Sequence, residues 1–430
     1  MAGPISRHLL PDSAAVGPNG DLYVGGISLL ELAAEYGTPL FVYDEDHLRA
    51  RCREAVAAFG DGATYASKAF LCKAMAKLAY EEGMAIDCAS GGEMHVAVAA
   101  GVPGDHIILH GNNKSSAELE MALKVGVRHI VVDSFDEFDR LDQAVVKVGY
   151  KGVRFAKAPI QIRITPGVKV HTHEYVQTGQ DDSKFGFTVS TGLAAEAIKK
   201  AQESLTVELR GLHMHIGSQV FDADSFAKAA HVMLDLSNPL GLPEVTFGGG
   251  LGVAYVEAES APSITEWANA LKVAIEASGC TSQVAMEPGR SIVASAAVTL
   301  YTVGTIKDLE GIRTYCAVDG GMSDNPRPVM YGSGYEAFLP RSPFVERGKP
   351  VRLVGKHCES GDLLIDEAWL PRDLKIGDVL CTPVTGAYGY TMANNYNKVP
   401  RPAVVFVSQG EARIVARRET LDDLIRLDIG

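Results

Sequence analysis

Lys68 closes a short β-prone run, Thr64-Tyr65-Ala66-Ser67, and a segment with helical spacing follows at 72–82. A lysine placed where a strand hands over to a helix, at the mouth of a barrel, is partly desolvated and poised for Schiff-base chemistry. One such lysine is ordinarily a solvated loop residue. Its weight comes from what stands at equivalent places further along: Asp87, His110-Gly111-Asn112-Asn113, Asp133, Arg163, His213 with His215, Gly248-Gly249-Gly250, and Glu287-Pro288-Gly289-Arg290. The triple glycine offers bare backbone N–H groups to an anion, as a phosphate cradle does. Glu287, at the end of an apolar strand, is costly to bury as an ion unless a cation meets it. That cation is either a protonated heterocyclic nitrogen or the nearby Arg290. His213 and His215 are one residue apart on a strand and share a face; His171 and His173 form a second such pair. Zinc would need a third ligand at motif spacing, and neither pair has one, so packing or stacking is expected and no metal. A lysine for an aldehyde, glycines for a phosphate, an aromatic ring and a carboxylate for a ring nitrogen converge on pyridoxal 5'-phosphate.

Parallel βα units position these groups. Apolar or β-branched runs fall at 63–66, 85–87, 107–109, 129–132, 161–164, 211–216, 245–247 and 284–287. Helical spacing occupies 72–82, 93–100, 116–124, 135–148, 191–203, 225–236 and 263–277 between them. Eight strands alternating with helices predict an α/β fold of the (β/α)8 TIM-barrel type, with its reactive face at the C-terminal rim of the strands. A doubly wound sheet should carry a Gly-x-Gly-x-x-Gly turn after its first strand, and none stands there. Beyond Gly289 strand-like runs follow without long helices, at 297–306, 313–318, 351–357, 379–382, 403–407 and 412–416. These predict a mostly antiparallel β domain, to which the N-terminal strand preceding the barrel adds. The expected domains are residues 1–38 joining the β domain, 39–290 as a cofactor-binding barrel, and 291–430 as the β domain. Ser28 reads as the N-cap of a helix through Tyr36, and Thr420 as the cap of a short final helix with Asp423 in capping-box position. The stretch from Thr165 to Ser183 has the composition of an active-site loop.

A formal net charge of −13 argues against nucleic acid and anionic membranes as partners. Seven scattered cysteines without a C-x-x-C pair fit reduced thiols in a cytoplasmic protein. Neither a secretory signal nor a membrane span is expected.

The strings YASKAF, HGNNKS, DSKFGF, HMHIGSQ, GGGLG, EPGRS, RPVMYGS, CESGD and GAYGYTMANNYN together resemble the diaminopimelate decarboxylase family of alanine-racemase-like, barrel-type pyridoxal phosphate enzymes. The resemblance runs from about Gly26 to the C-terminus, in family order. It implies decarboxylation of meso-2,6-diaminopimelate to L-lysine and CO2, the last step of lysine biosynthesis, by a homodimer with shared active sites. It further implies that Lys68 holds the cofactor aldehyde and that His215 stacks on the ring. Ser218, Gly250, the backbone of Gly289-Arg290, and Tyr388 would hold the phosphate, and Glu287 the pyridine nitrogen. Arg290, Arg327, Tyr331, Glu359 and Tyr388 would bind substrate. Cys358, from the partner subunit, would be the proton donor. Family members commonly carry Asn where Phe70 stands, a position given no role.

The substrate choice has its own physical support. Diaminopimelate carries an amino-acid group at each end, so its distal end needs both a cation and an anion. Arg290 and Arg327 can clamp the carboxylate while Glu359 meets the ammonium. A decarboxylase for ornithine, arginine or carboxynorspermidine is the nearest alternative. An amino-acid racemase of the same barrel family lacks the Cys-Glu-Ser-Gly-Asp string, and a non-catalytic regulatory relative should have lost Lys68, Glu287, Cys358 or Tyr388.

Overall fold

The computed structural model describes residues 2–167, 182–215, 217, 219 and 223–430, with residues 223–228 described by their backbone alone. The chain divides into two compact units. One comprises Arg51–Gly252 and Ala261–Ser291; the other comprises Met1–Ala50, Val253–Ser260 and Ile292–Gly430.

The first unit is the expected barrel. Its strands are Thr64–Ala66, Ala85–Cys88, Ile107–Leu109, His129–Val132, Ala158–Thr165, Val207–His215, Glu244–Gly248 and Gln283–Met286. Each pairs in parallel with the next. A parallel bridge between Ala63 and Met286 joins the last strand to the first. The helices Lys73–Glu81, Gly91–Ala99, Ser116–Val125, Phe135–Val148, Leu193–Glu203, Ala223–Ser237 and Ile264–Ala277 fall where the apolar spacing places them. Serines start several of these: Ser90 and Ser134 accept from the N3 amide, and Ser115 and Ser263 form complete capping boxes with Glu118 and Glu266. Ala85, Ile108 and Val131 pack together inside the barrel. At the N-terminal end of the strands Glu244 accepts from Arg128 Nη2 (2.9 Å) and Gln161 Nε2 (2.6 Å), a satisfied polar floor at the face that serves stability.

The second unit holds a mixed sheet in the order Leu363–Leu370, Lys349–Val354, Arg313–Val318, Ala297–Leu309, Leu40–Asp44, Ala403–Ser408, Glu411–Ala416, with Val379–Pro383 also paired to Ala297–Leu309. Most pairs are antiparallel; Arg313–Val318 with Lys349–Val354, and Leu40–Asp44 with Ala403–Ser408, are parallel. Leu40–Asp44 is the N-terminal strand of this sheet, buried at all five positions between two partners. The unit border therefore lies at Ala50 and Arg51, beyond the expected 38/39 junction, and Val253–Ser260 also belongs to this unit. The strand at Leu22–Val24 enters a separate three-stranded sheet with Ala15–Val16 and Ile27–Ser28. Ser28 caps Leu29–Tyr36 as expected. Thr420 and Asp423 make their reciprocal capping bonds, but residues 421–427 form successive turns rather than a helix. Leu421, Ile425 and Leu427 there are exposed, so no buried apolar face supports helix formation. Among the described residues no helix is long and apolar enough to cross a membrane.

Candidate active site

The barrel rim collects the sequence candidates. Lys68 sits in a single 3-10 turn, Ser67–Ala69, directly after the first strand. Tyr65 Oη donates to the Phe70 carbonyl (2.6 Å) and closes that turn. Ala66 N donates to the Pro288 carbonyl (3.1 Å), which stitches the lysine segment to the segment carrying Glu287, Gly289 and Arg290. Gly289 permits the close approach: a Cβ there would stand 2.8 Å from the Ala66 carbonyl oxygen and 2.9 Å from the Ala66 Cβ.

Glu287 is the centre of the electrostatics. Its Oε2 lies 3.0 Å from His213 Nε2 in a hydrogen bond, and its Oε1 lies 3.0 Å from His110 Nε2. The two imidazoles meet edge to face, with centroids 4.9 Å apart. Burial would raise the Glu287 carboxyl, but His110 and His213 overcome it and hold the group well below the usual carboxylate range. Asp87, 3.7 Å from His110 Nε2, behaves oppositely: burial pushes it up to about 6, against the pull of His110 and Lys68. His215 is held well below the ordinary imidazole value by burial, then by the positive charges of Lys68 and Arg163, so it presents a neutral ring. Arg163 reaches Asp133 Oδ2 at 3.6 Å and lies over the Phe185 ring at 4.4 Å. Asp133 Oδ1 in turn accepts from Gly186 N (2.7 Å), which explains why the Asp-Ser-Lys-Phe-Gly-Phe string belongs to the site.

The glycines act as spacers. A Cβ on Gly248 would stand 2.8 Å from His215 Nδ1 and 2.9 Å from Glu287 Oε2, so this residue keeps open the space beside both. The Gly250 N–H donates to the Gly217 carbonyl (2.7 Å), so it is engaged rather than bare and ties the triple glycine to the segment after His215. Ser218, His171 and His173 lie outside the described residues.

The imidazole partners of Glu287 were not legible in the sequence as partners; only their places at strand ends were. Lys114 of the His-Gly-Asn-Asn-Lys string is also more than a surface lysine. It is buried and donates to Gly111 O (2.7 Å), Val131 O (2.6 Å) and Glu137 Oε1 (2.8 Å), holding the loop that carries His110. His110, His213 and Glu287 offer ligand atoms within 4.8 Å of one another.

The other unit assembles the remaining candidates among themselves. Arg327 opens a five-residue helix, Arg327–Tyr331, and is buried. Its Nη1 donates to Tyr335 Oη (2.6 Å), and its guanidinium lies 4.2 Å from the Tyr255 ring centroid. Asp362 of the Cys-Glu-Ser-Gly-Asp string accepts from Met322 N (2.7 Å) and His357 N (2.8 Å), fixing the turn that presents Cys358 and Glu359 at the surface. Cys358 N donates to Asn397 Oδ1 (3.0 Å). Tyr388 is half-buried with φ at 60°, a left-handed conformation uncommon for a non-glycine residue and frequent at ligand clamps.

The barrel residues fit a pyridoxal group. Glu287 is a buried carboxylate kept ionised, His215 a neutral ring and Lys68 an amine whose charge is felt by both Asp87 and His215, and the missing side chain of Gly248 lets its strand end lie close to Glu287 and His215.

Comparison with known proteins agrees. The family described as pyridoxal-dependent decarboxylase, pyridoxal binding domain, matches residues 45–294. Diaminopimelate decarboxylase of Mycobacterium tuberculosis is 44% identical over 431 residues, covering 95% of this chain and 95% of the relative. The Bacillus subtilis diaminopimelate decarboxylase is 44% identical over 427 residues, covering 96% of each. The solved structure of diaminopimelate decarboxylase from M. jannaschii in co-complex with L-lysine superposes with a TM-score of 0.88 at 31% identity, covering 97% of this chain and 98% of that one. The barrel with its ionised Glu287, continued by a β domain over the full length of these relatives, places the chain in the diaminopimelate decarboxylase family of pyridoxal-dependent carboxy-lyases.

Proposed function

We infer that this protein decarboxylates meso-2,6-diaminopimelate to L-lysine and CO2, with pyridoxal 5'-phosphate, at the end of lysine biosynthesis. The observation that carries the reading is the buried Glu287 carboxylate at the barrel rim, with an imidazole Nε2 3.0 Å from each oxygen, within a chain that matches diaminopimelate decarboxylases almost end to end. When bound, the cofactor supplies the electron sink for the carbanion left by loss of CO2.

The chain's own residues divide the remaining work. Lys68 would hold the cofactor through its aldehyde, its amine being the group that exchanges with the substrate amine. His215 would lie against the ring face, and its neutrality would spare a cationic ring from repulsion. Ser218, Gly289-Arg290 and Tyr388 would hold the phosphate, and Gly250, whose N–H is donated to the Gly217 carbonyl, would shape that cradle rather than donate to it. Glu287 faces the ring nitrogen. Arg290 and Arg327 take the distal carboxylate, Glu359 the distal ammonium, and Tyr331 and Tyr388 flank the substrate. Cys358 would hold the proton that replaces the lost CO2.

Cys358 and Glu359 are exposed in the single chain, which supports a homodimer in which each chain lends this turn to its partner. A cytoplasmic setting is supported by seven cysteines that are all free thiols. The test is relative kcat/KM on meso-diaminopimelate, ornithine, lysine and arginine with added pyridoxal phosphate. Preference for diaminopimelate supports the reading, and preference for a substrate with only an ammonium at its far end contradicts it.

A further inference from the structure

We propose that His110 and His213 are positioning residues for Glu287: together they hold its carboxylate as an anion, so that the proton it shares with a pyridine nitrogen stays on the ring. The inference rests on the reading that Glu287 faces that nitrogen.

The geometry singles out this role. Each carboxylate oxygen of Glu287 has its own imidazole Nε2 at 3.0 Å, delivered from the third and sixth strands of the barrel. Edge-to-face contact at 4.9 Å braces the two rings against each other, which fixes both Nε2 atoms beside the carboxylate at once, His213 in a hydrogen bond and His110 in close polar contact. The second nitrogen of His213, Nδ1, is buried with no hydrogen-bond partner among the described residues. A buried orphan nitrogen is costly, and an apolar ring or a leucine would fill the same space without that cost. Among the described residues, the polarity of His213 is therefore accounted for by its hydrogen bond to Glu287.

The surrounding charges show what the pair works against. Burial favours a protonated Glu287 and the imidazoles outweigh it, while Lys68 bears on Asp87, and Lys68 and Arg163 on His215, in the same rim. One proton lies between carboxylate and ring nitrogen. The weaker the carboxylate's hold on it, the more fully it resides on the nitrogen, and the deeper the ring's electron sink. Without the imidazoles the carboxyl keeps the proton and only donates a hydrogen bond to a neutral ring.

The experiment uses the full chain reconstituted with pyridoxal phosphate labelled with 15N in the ring, in His213→Leu, His213→Gln, His110→Phe and Glu287→Gln variants. His213→Leu should move the 15N resonance toward the unprotonated ring. It should also lower kcat by roughly ten- to a hundredfold, the worth of one hydrogen bond to a charged group, with a smaller change in KM. His213→Gln keeps an N–H donor and should recover most of both. With a cofactor analogue carrying carbon in place of the ring nitrogen, the cost of His213→Leu should disappear. His110→Phe carries the same test through the other oxygen should His213→Leu fail to fold. An unchanged resonance in both imidazole variants, with a shifted one in Glu287→Gln, overturns the proposal alone. An unchanged resonance in Glu287→Gln as well overturns the assignment of Glu287 on which it rests.

Discussion

Arg327 donates from Nη1 to the Tyr335 hydroxyl at 2.6 Å, with the Tyr255 ring 4.2 Å from its guanidinium. A guanidinium held by one hydrogen bond and one aromatic face has its orientation set before any ligand arrives, leaving its other N–H groups to meet a carboxylate. Tyr335→Phe should raise KM for diaminopimelate by roughly tenfold while kcat changes less, since about one hydrogen bond to a charged group is lost. Arg327→Lys should be worse, because an ammonium cannot reproduce the planar fork. Steady-state kinetics on both variants check this; wild-type KM in both would remove Arg327 from substrate binding.

Cys358 is expected to act as an acid after CO2 leaves. Cys358→Ala should retain the cofactor's visible absorbance and lose roughly a hundred- to ten-thousandfold in turnover, the usual worth of general-acid assistance. A wild-type rate for the variant would exclude the thiol from the chemistry.

Gly248 packs close against both His215 and Glu287. The added methyl of Gly248→Ala would press on His215 Nδ1 and Glu287 Oε2, at 2.8 and 2.9 Å. Cofactor affinity should fall by more than about tenfold, a loss of over 1.4 kcal/mol, while Gly430→Ala, at the open C-terminus, should leave it unchanged. Fluorescence titration of the cofactor-free protein measures both.

Asp87 predicts a pH dependence with a definite sign. Its carboxyl is raised from 3.8 to about 6 in the folded protein, chiefly by burial. Its contribution to stability is therefore complete below the unfolded value and lost as pH rises through about 6. Chemical denaturation of the cofactor-free protein should show a larger fall in stability between pH 4 and pH 6 for the wild type than for Asp87→Asn. Identical profiles would mean that Asp87 ionises as it does in the unfolded chain.

Much of the barrel was legible because its signals agree. Short apolar runs end in polar residues and helical spacing resumes after them, with serine caps opening four of the helices. The helix Glu45–Phe59 escaped notice because arginines and acids crowd the spacing of Leu48, Cys52 and Ala55, its buried face. The strand Leu363–Leu370 escaped because Asp366 and Glu367 sit in its middle, both exposed to solvent. Leu40–Asp44 reads as apolar in sequence, but its partners lie more than two hundred residues away, so its unit could not be read locally. The same distance hides the clamp on Glu287: His110 and His213 are ordinary strand-end histidines until the barrel closes and brings three strands to one carboxylate.

The central claim is that Lys68 and pyridoxal phosphate make this chain a diaminopimelate decarboxylase. Wild type and Lys68→Ala, each incubated with pyridoxal phosphate and meso-diaminopimelate, should be assayed side by side for CO2 and L-lysine. The account predicts equal amounts of both products from the wild type, and neither product nor the lysine-bound cofactor's visible band from Lys68→Ala. No lysine from the wild type, or equal turnover by Lys68→Ala, would contradict it.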